Sequence, residues 1–187
     1  MSIAWNEISE ERKDVMELAF EHLHFVDLMV DQKSNEIDTA NEYPIGFQDL
    51  YSAAVQPEVA IDSRIADALE NNPKLRADFE TLLQQTGIAW FPAAAAAETG
   101  RLDERDEASV LIRIRPSKAN ENQVYVLIRL KEPSAVQPNA IIGLPPEGSP
   151  IKKTLPEAVD NMFQLLMQRD EPLIRAIQDR RSKLSLQ

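Results

Sequence analysis

The sequence predicts an α+β protein, with a helical N-terminal half followed by a small antiparallel sheet with C-terminal helices. Three observations carry this expectation. Apolar residues through the first ninety positions recur at spacings of three and four. Residues 110–115 and 124–130 then switch to strict alternation, the signature of strands with one buried face. Beyond residue 154, capping signals precede apolar residues that return to helical spacing.

Ser9, followed by Glu10 and Glu11, is suited to open the first helix, since acidic residues favour a helix N-terminus. Val15, Leu18, Ala19, Leu23, Val26 and Val30 form its apolar stripe, giving roughly six turns that end near Asp31. Residues 32–43 are polar and read as a loop. Residues 47–55 fit a short helix with Phe47, Leu50 and Tyr51 inward. Asp62 or Ser63 caps the next, with Ile65 and Leu69 as its buried positions. Asn72 and Pro73 end it and start another, because Asn is a good cap and Pro is tolerated at the first helical position. Leu75, Phe79, Leu82 and Leu83 are that helix's apolar face, and Gly87 is placed to stop it. Residues 88–91 are a compact apolar run, and Ala93 to Ala97 fit a further helical turn or two. Residues 101–107 are almost all charged and read as a solvated boundary.

That boundary divides an acidic helical region, residues 1–107, from a β-hairpin-centred α+β region, residues 108–187. These are two domains or one continuous domain. In the hairpin, Val110, Ile112 and Ile114 face one way with Val124, Val126, Ile128 and Leu130. Leu111, Arg113, Arg115, Tyr125, Leu127 and Arg129 face the other. The polar stretch 116–123 between them is the hairpin loop. Residues 140–144, set among prolines, read as a third strand at a sheet edge. Thr154 and Glu157 match a capping box, opening a helix with Val159, Met162, Phe163 and Leu166 inward. The run from Met162 to Met167 also fits a strand. Pro172 opens a helix burying Leu173, Ile174 and Ile177, and residues 183–186 close as a short strand.

Composition narrows the function classes. The 187 residues are 43% hydrophobic, enough for a sizeable core. No apolar run is long enough to span a membrane. The first residues lack a basic segment followed by an apolar one, so a secretory signal is not expected. The chain has no cysteine, which excludes disulfides and thiol chemistry and fits a cytoplasmic, bacterial-type protein. Its net charge of −11 argues against nucleic acid. The charge is uneven: residues 1–107 carry a net −15 and residues 108–187 a net +4. One surface of opposite charge is therefore available either to the chain's other half or to a partner.

Candidate chemistry is sparse. His22 and His24 are the only histidines, and Glu21 to His24 has the Glu-x-x-His spacing by which a helix can hold a metal. A second such motif is missing, so neither a metal site nor a cofactor is expected. No Gly-x-Ser-x-Gly elbow or glycine-rich phosphate loop is present among the five glycines. The expected function is therefore a non-catalytic protein-binding module: a regulator, adaptor or chaperone-like accessory protein. The alternative is a small enzyme using carboxylates or His24, with or without a metal. The expected partner surface is Arg113, Arg115, Tyr125, Arg129 and Lys131, arginines around an aromatic ring suited to an acidic segment of another protein. The first helix's broad stripe also accommodates a homo-oligomer.

Overall fold

The computed structural model describes residues 45–94, 102–132 and 136–187. The helix expected to begin near Ser9, with Glu21, His22 and His24, falls outside them. Three helices come first: α1 (Phe47–Val55), α2 (Ser63–Asn71) and α3 (Pro73–Thr86). Strands β1 (Ala89–Phe91), β2 (Glu104–Asp106), β3 (Val110–Pro116), β4 (Gln123–Leu130), β5 (Ala140–Leu144), β6 (Ile151–Thr154) and β7 (Met162–Gln168) follow. Helix α4 (Pro172–Gln178) and strand β8 (Lys183–Leu186) complete the order.

The helical punctuation forms as the residues dictate. Asp62 accepts from the Ile65 amide at 2.7 Å and caps α2. The Asn72 amide closes α2 on the Ala68 carbonyl, while its side chain accepts from the Lys74 and Leu75 amides to begin α3. Gly87 stops α3 for a reason other than handedness, since its backbone is extended (φ −78°). A Cβ there would sit 2.7 to 2.9 Å from the Leu83 carbonyl, Ser185 Oγ and Gln187 Nε2. Only glycine lets the end of α3 lie this close to β8.

The strands correct the expected architecture. Instead of one small sheet with C-terminal helices, they form two four-stranded antiparallel sheets, ordered β1-β8-β5-β6 (sheet A) and β2-β3-β4-β7 (sheet B). The helices lie mostly before and between strands. The helix expected behind Thr154 does not form. Thr154 ends β6, paired with Ala140, and its hydroxyl donates to the Pro57 carbonyl at 3.1 Å. Asp160 and Asn161 then both take positive φ, 51° and 60°, and Val159 and Met162 exchange backbone bonds around them. This is the two-residue turn whose twist suits a hairpin. It launches β7 along β4, so Phe163, Leu165 and Met167 fill the core beside Ile128, Val126 and Val124. Strand β5 is likewise interior, with all five residues buried between β8 and β6.

Two cores result. On one face of sheet A, Ile142 and Leu144 meet the apolar sides of α1, α2 and α3, around Leu50, Leu69, Phe79 and Leu83. On its other face, Ile141, Leu184 and Leu186 join α4 and the inner face of sheet B. Gly143 lets α4 settle on β5, because a Cβ there would be 3.1 Å from that of Ala176. Among the described residues, no helix is long and apolar enough to cross a membrane.

A buried arginine ties the sheets at one side. The charged stretch expected as a solvated boundary contains β2, and its Arg105 is only 5% exposed. Its guanidinium donates to the carbonyls of Pro92 after β1 (3.2 Å), and of Asp179 (3.2 Å) and Ser182 (2.8 Å) between α4 and β8. Burial pushes its pKa down, and the charges of Asp179 and Glu107 oppose that shift. Arg105→Met keeps the apolar stem but leaves the Pro92 and Ser182 carbonyls without donors, while the Asp179 carbonyl keeps only the Ser182 amide at 3.0 Å. Urea unfolding should show a loss of about 3 kcal/mol; a loss below about 0.5 kcal/mol would remove Arg105 as a tie.

Lys152 joins sheet A to the helical layer in a similar way. Its ammonium donates to the carbonyls of Ala53 (2.6 Å), Gln56 (2.5 Å) and Val59 (3.1 Å), capping the end of α1. Burial pushes its pKa down from 10.5 to about 8. Between those values the unfolded chain holds the proton that the folded chain has released. Stability contributed by this group therefore rises from pH 8 to 10.5. Thermal melts of the natural chain should gain on those of Lys152→Met across that window; parallel curves would contradict the shift.

Candidate functional site

Burying one face of sheet B against α4 and sheet A turns the alternate residues outward. Pairing across β3, β4 and β7 sets them in three rows: Leu111, Arg129 and Met162; Arg113, Leu127 and Gln164; Arg115, Tyr125 and Leu166. All the residues expected for partner binding from β3 and β4 lie on this face, and the exposed Lys131 follows at the end of β4. Two apolar side chains on β7 join them, Met162 at 38% and Leu166 at 52% exposure. Helical spacing would turn both inward, whereas the strand that the run from Met162 to Met167 also fits turns them out. The signal for the strand was the alternation of Phe163, Leu165 and Met167.

The cations differ in their pairing. Glu104 on β2 stands opposite Arg113 and takes two hydrogen bonds from it, at 2.5 and 3.4 Å. That contact holds the guanidinium proton more firmly, through the hydrogen bond first and the carboxylate charge second. Lys131 Nζ lies 2.5 Å from Asp106 Oδ1. Arg115 and Arg129 have no ion pair among the described residues. The face is thus a mixed surface, with two neutralised cations along β2 and two free arginines around Tyr125, Leu127 and Leu166. Such a surface can bind carboxylates at the arginines and apolar side chains between them.

A cleft lies at the end of sheet B beside α4. It is an open cleft of about 820 Å³ lined by Asn122, Gln168, Arg169, Asp170, Arg175 and Gln178. Its lining offers two cations and one carboxylate, without a nucleophile beside a base. Among the described residues, no cluster of three or more histidine, aspartate or glutamate side chains could hold a metal ion. No protein-family model, curated protein or solved structure matches the chain.

Proposed function

We propose that this protein is a non-catalytic docking module, a regulator, adaptor or chaperone-like accessory protein, that takes an acidic and partly apolar segment of another protein on the outer face of sheet B. The observation that carries the reading is the pair Arg115 and Arg129. Both are exposed on a sheet face whose opposite side is fully committed to the core. Neither has a carboxylate partner among the described residues, although the chain carries 31 acidic residues. Neighbouring Arg113 and Lys131 are matched by Glu104 and Asp106, so the unmatched charge lies at opposite ends of the two central strands, Arg115 on β3 and Arg129 on β4. Tyr125 and Leu127 between the arginines, with Leu166 beside Tyr125 on β7, supply the apolar contact that charge alone lacks. Exposed arginines contribute little to folding stability, which leaves them available for recognition.

The test is affinity capture from the source cell at low and high salt, with the natural chain and with the double variant Arg115→Gln, Arg129→Gln. The variant should melt within about 1 °C of the natural chain, because it removes only solvated charge. Its affinity for the captured partner should fall about fivefold or more, and the salt dependence should flatten. Unchanged capture combined with a lower melting temperature would contradict the reading and make the arginines structural.

A further inference from the structure

We propose that the free edge of β7 accepts one extended strand of the acidic partner segment, so that the partner extends sheet B as well as touching its outer face. The inference rests on the docking role given to that face, and it specifies how the segment is held.

Alternate residues of an antiparallel edge strand aim their N–H and C=O groups away from the sheet. At one end of β7, Met162 uses its outward pair on Val159, at 2.9 Å in both directions. At the other end, the Gln168 amide donates to Glu171 Oε1 at 3.0 Å, and its carbonyl accepts from the Glu171 amide at 3.1 Å. Between these ends, alternation turns Gln164 and Leu166 outward, and nothing among the described residues bonds to their backbone. Four backbone groups therefore stand open in a window bracketed by Val159 and Glu171. The window spans residues 163–167, about 17 Å of strand.

The other three sheet edges are guarded against pairing. Strand β1 has three residues, β2 is three charged residues, and β6 carries Lys152 and Lys153. Charge and shortness are the usual protections of an edge. Strand β7 has neither: its seven residues include no charge, and Met162 and Leu166 are exposed beside the open groups.

The bracket selects the occupant. Antiparallel pairing of two β7 strands about Leu165 would put Gln168 of a second copy where Val159 lies, and Met162 where Glu171 lies. A short extended segment fits within the window and meets neither. Such a strand projects alternate side chains over the outer face. A residue level with Gln164 would lie about 12 Å from Arg129 between Cα atoms, within the joint reach of an arginine and a glutamate. The unmatched arginines thus favour carboxylates at those positions.

The probe is a seven-residue peptide of alternating valine and glutamate, blocked at both ends, titrated into the full chain. A second peptide is identical except for methylated nitrogens at alternate positions. In the free chain, the Gln164 and Leu166 amides should exchange rapidly with deuterium at every chain concentration. The unmethylated peptide should protect both, and methylation should weaken binding at least about tenfold. Equal binding of the two peptides without protection of Gln164 and Leu166 would overturn strand addition. It would leave docking on the face intact, provided Arg115→Gln, Arg129→Gln still weakens both. Protection in the free chain, at all concentrations or only at high ones, would overturn it too, since the edge would be filled by the chain itself or a second copy. Failure of both peptides to bind at millimolar concentration would also overturn it.

Discussion

Sheet B is committed to the core on one face only, and most of the molecule's character follows from that constraint. Val110, Ile112, Ile114, Val124, Val126 and Ile128 are at most 5% exposed against α4 and sheet A. Because strand side chains alternate, each residue fixed inward fixes its neighbours outward. A slip of one residue by β3 along β4 would bury Arg113 and Arg115 and expose Ile112 and Ile114. The cost of burying unpaired charge makes that slip prohibitive. The position of the arginines is thus held by the hydrophobic core behind them, and their own contacts need contribute little. A surface positioned this way is free to be shaped for recognition.

The same economy explains where polar groups are buried. Arg105 and Lys152 each place a cation among three main-chain carbonyls, at points where one layer meets another. Carbonyls at the end of α1 and beyond β1 and α4 fall outside the regular ladders, and only those of Gln56 and Asp179 also take a turn amide, from Val59 and Ser182. A long cationic side chain can satisfy several at once. The Leu83 carbonyl at the end of α3 is treated alike, accepting from the Gly87 amide, Ser185 Oγ and Gln187 Nε2. The layers are therefore stapled by side chain to backbone contacts as well as by apolar packing.

Much of the local structure was legible in the residues. Asn72 and Pro73 can only end one helix and begin another, and the β3–β4 alternation admits no helical reading. Residues 159–168 were not legible in the same way. Val159, Met162, Phe163 and Leu166 have helical spacing, and only pairing with β4 decides for a strand in which Met162 and Leu166 face out. The prolines that flank β5 suggest an edge strand, yet its unbroken apolar run is what burial on both faces requires. Arg105 lay hidden in a run of charges, since nothing local marks one arginine of Glu104, Arg105 and Asp106 as buried. That omission also hid half of the candidate site. The residues of the basic row could be assigned to one face, but their neutralisation by Glu104 and Asp106 depends on β2 pairing with β3.

The outer face of sheet B is open while its inner face is sealed. Paramagnetic broadening of methyl resonances by a soluble, neutral nitroxide measures this directly on the full chain. The Leu127 and Leu166 methyls should broaden strongly, with those of Ile112 and Ile128 untouched. Leu127 and Leu166 methyls as protected as those of Ile112 would contradict this, because the face proposed for a partner would then be covered by the chain itself.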